Sequence, residues 1–184
     1  MTIAVARQPQ RGVTLVELLI TMSIVVILIT VGVSGMRMVI KRNARAAEVN
    51  TMVGHLNFAR AQAIMRAANV RVCPADPHDL SAGCDAAPTN GSWSDGYAIV
   101  ELDAAGGTAS VLRVQQGARA VDIIGNRVCF EFEDDGTLKF GGCSGPGSIR
   151  FCDPDPDGMD AARVVVSSMG RIRLEETGVT CPDS

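Results

Sequence analysis

One acidic residue stands alone in a long apolar run, and that run constrains the rest of the chain. Between Val13 and Met36 the only formally charged side chain is Glu17, and residues 18–36 carry none. A helix of that length can cross a bilayer core of ~30 Å. A carboxylate in hydrocarbon costs ~2.5–3.5 kcal/mol on insertion scales. Glu17 is therefore expected either to find a partner or to snorkel to headgroups. Arg7, Arg11 and Gly12 precede the run. A secretory signal would show a shorter apolar core followed by a small-x-small cleavage site. Here the run continues past Ser34 and Gly35 into a further helical pattern.

After Arg37 the pattern turns amphipathic. Val49, Met52, Val53, Leu56, Ala59, Ala63, Ile64 and Ala67 fall on i, i+3, i+4, i+7 spacing, one apolar stripe of a helix. Gly54 is a blemish of ~1 kcal/mol relative to Ala. No proline occurs between Gln10 and Cys73, so one helix from Val13 to about Ala68, ~84 Å long, is expected. From Val70 the signals are β. Short runs at 70–73, 96–102, 110–115, 128–133, 137–140, 148–152, 163–168 and 171–175 are bounded by Gly, Pro, Asn or Asp. The segment Glu133-Asp134-Asp135-Gly136-Thr137 reads as a hairpin turn. The fold class is α+β: a long N-terminal helix packed on a β-rich C-terminal head. Residues 13–36 form the apolar part of the helix, 37–69 its amphipathic continuation and 70–184 the head.

All six cysteines, Cys73, Cys84, Cys129, Cys143, Cys152 and Cys181, follow the apolar run. An even count on one side of a membrane segment, with no C-x-x-C pair, points to disulfides in an oxidising compartment. The hairpin turn would set Cys129 close to Cys143 on paired strands. Cys73 and Cys84 flank a polar loop, which leaves Cys152 and Cys181 for each other. Six cysteines allow many other pairings.

Charge is divided as well. Residues 13–70 carry six Lys/Arg against two acids, a net of +4, whereas residues 71–184 carry nine against eighteen, a net of −9. An acidic head repels nucleic acid at long range, so any such binding needs a local patch. The positive-inside rule, counted over Arg37, Lys41, Arg42 and Arg45 against Arg7 and Arg11, favours a cytoplasmic C-terminal side. The cysteines favour the opposite orientation.

The run Arg11-Gly12-Val13-Thr14-Leu15-Val16-Glu17 resembles the prepilin peptidase site of type IV pilins and type II secretion pseudopilins. The resemblance implies that residues 1–12 are a leader peptide, removed by cleavage between Gly12 and Val13, and that the new N-terminus is methylated. It also implies that Glu17 pairs with the α-amino group of Val13 on a neighbouring subunit. The family's usual first residue is Phe where this chain has Val13, and its helix-kinking Pro is absent, with Ser34 near that place. The leader must then face a cytoplasmic peptidase, which agrees with the cysteines. Asn50, Ala59-Arg60, Ala63-Ile64, Asn69-Val70, Val72-Cys73, Trp93-x-x-Gly96-Tyr97, Phe132 and Gly136 resemble the FimT/GspH group of minor pilins and pseudopilins. The match covers nearly all of residues 11–175. It implies a type IV pilin-like fold, an inner-membrane anchor with a periplasmic head before assembly, and other pilins as partners through the N-terminal helix.

No catalytic grouping is apparent. There is no nucleophile elbow and no phosphate-cradling Gly loop, and His55 and His78 are too few for a typical zinc centre. No cofactor or metal is expected. Asp153-Pro-Asp155-Pro-Asp157-Gly158 begins like a calcium loop, but Val164 stands where the bidentate acid belongs, and a solvated acidic loop is the preferred reading. Trp93 is assigned to core packing. In Gly170-Arg171-Ile172-Arg173, a strand would point both arginines to one face, where they suit adjacent phosphates. The motif also resembles the one through which FimT-type minor pilins bind double-stranded DNA. The competing reading pairs these arginines with Glu175, Glu176 or the Asp-rich loop, and Arg150, Arg163 and Lys139 are candidate helpers. The chain therefore reads as a minor pilin, with a type II secretion pseudopilin of the H class as the alternative. A membrane-anchored binding protein that never polymerises is the third reading.

Overall fold

The computed structural model describes residues 12–75, 84, 92–118, 121–153, 161–176 and 178–181, with the backbone alone at 31–35, 37 and 38. The chain divides into two compact units, Met1–Ile40 and Lys41–Ser184.

Helix α1 runs Leu15–Arg66. It starts at Thr14, whose Oγ1 accepts the Glu17 backbone N–H at 3.3 Å, an N-cap that satisfies one of the free donors of the first turn. It stops at Ala67, which has φ 49°. The Ala68 N–H then reaches back to the Ala63 carbonyl at 3.2 Å, the bond of a Schellman stop. The helix is thus slightly shorter at each end than periodicity suggests. Within Lys41–Ser184 the helix buries Val49, Met52, Leu56, Ala59 and Ala63, the core of the stripe read from the sequence. Ile64 and Ala67 continue that spacing but lie exposed, because the helix has reached its end there.

Among the described residues eight strands follow: β1 Val70–Pro74, β2 Gly96–Leu102, β3 Thr108–Gln116, β4 Asp122–Gly125, β5 Phe130–Phe132, β6 Gly147–Cys152, β7 Ala162–Val166 and β8 Ile172–Glu175. They form two antiparallel four-stranded sheets, ordered β3-β2-β1-β5 and β4-β6-β7-β8. The helix stripe and one face of each sheet share a single core. Val70, Val72, Tyr97, Ile99, Phe130 and Phe132 come from the first sheet, and Ile123, Ile149, Phe151, Val164 and Val166 from the second. Trp93 is fully buried in it, with its indole N–H on the Arg127 carbonyl at 3.2 Å. The other face of β2 carries a smaller cluster of Ala98, Val100 and Leu102, packed with Ala75 and Cys84. This explains why β2 is buried almost throughout instead of alternating.

Two expectations need correction. Residues 137–140 do not form a strand. The turn closes as expected, with the Glu133 N–H on the Thr137 carbonyl at 2.9 Å. The Lys139 N–H still meets the Glu131 carbonyl at 2.9 Å across the single Phe132–Leu138 bridge, but regular pairing goes no further. The Leu138 N–H, on the edge away from β5, meets the Ser168 carbonyl at 2.9 Å, which ties this segment to the turn after β7. Cys129 and Cys143 are therefore not on paired strands. Cys129 precedes β5 and Cys143 sits in the Gly141–Ser144 turn, yet the Cys129 N–H meets the Cys143 carbonyl at 3.3 Å. Strand β4 has no counterpart in the sequence reading. The structure holds three disulfides, Cys73–Cys84, Cys129–Cys143 and Cys152–Cys181.

Two polar groups are built into the head. Glu131, 2% exposed, accepts from Arg71 at 2.9 Å, Lys139 at 2.7 Å and Asn69 at 3.3 Å. Burial pushes its carboxyl up, but the hydrogen bonds from Lys139 and Arg71 outweigh this and hold it below the ordinary range. His55, also buried, shares a 2.7 Å hydrogen bond with the Tyr97 hydroxyl. Burial, and then the charge of Arg113, lower its pKa from the ordinary 6.5. Arg113 itself lies over the Phe58 ring at 4.5 Å.

Candidate functional site

The first candidate site is the start of α1. Gly12, Val13 and Thr14 precede the helix without regular structure. Residues 1–11, and with them Arg7 and Arg11, lie outside the described residues. Every described side chain from Val13 to Thr30 is exposed, and the large apolar ones between them range from 48% at Val25 to 77% at Leu15. Glu17 lies in the first helical turn, where a carboxylate is favoured by the helix dipole. Thr14 and Glu17 have capping-box spacing, a sequence signal that the reading above passed over. Only one half of the box is made: the Glu17 amide is bonded, whereas its carboxylate has no partner among the described residues. Among the described residues no helix is long and apolar enough to cross a membrane. The span expected at 13–36 includes positions 31–35, whose side chains are not described.

The second candidate lies on the outer face of the sheet β4-β6-β7-β8. The register sets Arg150 opposite Arg163, Arg163 opposite Glu175, and Val165 opposite Arg173. Alternation puts Arg150, Arg163, Arg173 and Glu175 on one face, away from the buried Ile149, Phe151 and Val164. Glu175 is taken by Arg163, whose Nη2 lies 2.5 Å from its carboxylate. Arg171 and Arg173 are exposed, and neither side chain has a partner among the described residues. Arg171 stands one residue ahead of β8, not inside it, held by its backbone: its N–H reaches Ser167 Oγ at 3.1 Å and its carbonyl accepts the Ser167 N–H at 2.9 Å. Glu175 is therefore not the partner of this pair, because strand register gives it to Arg163. Lys139 belongs to the Glu131 cluster and not to this face.

Asp153 pairs with Lys41 at 3.5 Å. The rest of the Asp-rich segment, 154–160, lies outside the described residues, as does His78. Among the described residues no group of His, Cys, Asp and Glu could hold a metal ion.

A long helix with a lone acid near its start, packed further along on antiparallel sheets closed by disulfides, defines the pilin-like class of filament subunit. Residues 48–170 match the model of the family described as type II transport protein GspH, and residues 7–33 match the prokaryotic N-terminal methylation motif. The chain belongs to the GspH family, whose members are minor pilins and pseudopilins. Its fold is similar to that of the type IV minor pilin FimU of Pseudomonas aeruginosa (strain PAO1). In the P21 crystal form the identity is 20%, the match covers 73% of this chain and 90% of that one, and the TM-score is 0.54. The P65 form gives 22%, 72% and 91%, with a TM-score of 0.49. No curated protein sequence matches the chain.

Proposed function

We propose that this chain is a minor pilin of a type IV pilus. Prepilin peptidase cuts it between Gly12 and Val13, Val13 is methylated, and residues 13–36 anchor it in the inner membrane with the head in the periplasm. Assembly then pairs Glu17 with the Val13 amine of a neighbouring subunit. The observation that carries this reading is the exposed, largely apolar surface of 13–30, whose only charged side chain is the unpartnered Glu17. Apolar surface on that scale needs lipid or neighbouring helices to cover it. A lone acid within it needs a cation that the chain's own described residues do not provide. The three disulfides suit an oxidising compartment.

The test is incorporation. Mass spectrometry of the mature chain should show a methylated Val13 N-terminus. Glu17→Leu should be processed and retained in the membrane yet be missing from sheared filaments. Normal incorporation of Glu17→Leu would remove the basis of the reading.

Arg171 and Arg173 further support weak binding to the phosphate backbone of double-stranded DNA, as in DNA uptake during natural transformation. The net charge of −9 over residues 71–184 opposes it, so retardation of DNA by the full chain in detergent should appear at low salt and fade as salt rises. The Arg171→Ala/Arg173→Ala variant should retard DNA less. Equal retardation by the variant would reject these two residues as the site. The second reading, a type II secretion pseudopilin of the H class, is favoured by the description of the matching family. Deletion of the gene separates the two, since one reading predicts loss of pili and the other loss of protein secretion.

A further inference from the structure

A cleft of about 570 Å³ opens within the unit Lys41–Ser184, between α1, the outer edge of β8 and the C-terminal segment. Arg42 and Arg45 line one side, Glu176 another, and Val49, Leu174 and Val179 supply apolar wall. Arg42 and Arg45 are i and i+3 on one helix, so their side chains share a face. Among the described residues, Arg42, Arg45 and Glu176 have no ion-pair or hydrogen-bond partner. The neighbouring Lys41 is engaged with Asp153 instead. Leu174 has the inward parity of β8, opposite the fully buried Val164, yet it is 41% exposed, because the wall of the cleft leaves it uncovered. Two cations, one anion and an apolar wall thus converge from segments some 130 residues apart (176 − 45 = 131), with their charges unused by the fold.

We propose that this cleft binds the headgroup of a phosphoethanolamine lipid, with the phosphate on Arg42 and Arg45, the ammonium on Glu176, and the first acyl carbons along Val49, Leu174 and Val179. The proposal rests on the membrane-anchor reading above. Charge complementarity selects the ligand. The two arginines suit a phosphate, and Glu176 suits a cation that can also donate hydrogen bonds. A purely anionic headgroup would leave Glu176 facing a like charge. Size excludes a partner helix, which is ~10 Å across, whereas the cavity falls in the ~300–1,000 Å³ range of small-molecule sites. Sequence position supplies the source. Arg42 and Arg45 come six and nine residues after Met36, the end of the apolar run, ~9 and ~13.5 Å further along a helix, so their long side chains, which lean toward the helix N-terminus, reach back to the headgroup layer. The site would act on the chain before assembly and give up its lipid when the helix leaves the bilayer.

The full chain, purified in detergent micelles, tests this by native mass spectrometry with dioleoyl phosphatidylethanolamine and dioleoyl phosphatidylcholine as probes. The choline headgroup has no N–H to offer Glu176. The native chain should retain the ethanolamine lipid about tenfold better than the choline lipid, the worth of one charge-assisted hydrogen bond. Arg42→Gln/Arg45→Gln should lower retention of the ethanolamine lipid by about tenfold with an unchanged circular dichroism spectrum. Glu176→Gln should bring the two lipids to within about twofold of each other, because only the distinguishing contact is lost. Equal retention of both lipids by the native chain, or native-like retention by the double arginine variant, overturns the proposal. If the chain resists alkaline extraction from membranes while showing either result, only the cleft assignment fails. If the chain is washed off the membrane, the anchor reading fails and takes the cleft assignment with it.

Discussion

His55 and Glu131 show how single buried groups set the response of the head to pH. His55 has its pKa lowered by burial and by Arg113. The unfolded chain therefore binds a proton at a pH where the folded chain does not, and stability falls as pH drops through the ordinary histidine value near 6.5. Glu131 has its pKa held down by Lys139 and Arg71. Its contribution is present above the ordinary carboxylate value of 4.5 and is lost as pH falls through the lower, folded value. Both groups weaken the head on the acid side, in separate windows. Urea midpoints measured from pH 8 to pH 3 should fall first near neutrality and again below about pH 4. His55→Gln should flatten the upper fall while leaving the lower one in place. An unchanged upper fall would show that His55 does not titrate as its burial requires.

At the scale of elements, two backbone positions with positive φ predict opposite effects. Ala67 ends α1 at φ 49°, in a conformation that disfavours a Cβ. Gly170, at φ 68°, closes the turn between β7 and β8, and a Cβ there would sit 2.1 Å from the Gly136 carbonyl oxygen. Arg60 crosses the same place and donates to the Gly136 carbonyl at 2.9 Å and the Met169 carbonyl at 3.2 Å, so the backbone has little freedom to yield. Ala67→Gly should raise stability by about 0.5–1 kcal/mol. Gly170→Ala should lower it by about 2–3 kcal/mol. Both shifts are readable in equilibrium urea unfolding. The helix stripe, β1, β2 and β7 were legible because their periods lie within one segment. β4 was not, since Asp-Ile-Ile-Gly is four residues long and becomes a strand only beside β6. The arm at 137–140 carried a strand-like pattern, but its pairing with β5 stops after the one Phe132–Leu138 bridge and the Lys139 N–H on the Glu131 carbonyl, short of the Gly141–Ser144 turn.

Over the whole molecule, the Cys152–Cys181 disulfide closes the longest loop of the three, 29 residues in separation. It ties the C-terminal segment back to β6, and that segment contributes Glu176 and Val179 to the cleft. Chain-entropy arguments give such a loop ~3–4 kcal/mol. The Cys152→Ser/Cys181→Ser variant should lose about that much in urea unfolding. A loss well under 1 kcal/mol would mean that the C-terminal segment is held by its other contacts, among them the Arg150–Thr180 hydrogen bond.

The sequence by itself determined the long helix, its apolar face, the lone Glu17 and the β-rich head, because each is written in spacings of two to four residues along one stretch of chain. Only the tertiary structure decided which charges stay free. Glu175 lies opposite Arg163 through the pairing of β7 with β8, and that register leaves Arg171 and Arg173 without a described partner. The convergence of Arg42 and Arg45 on Glu176 depends on where β8 and the C-terminal segment come to lie beside α1. Partner choice between side chains a hundred residues apart follows from strand register and packing, and no local pattern in the sequence encodes it.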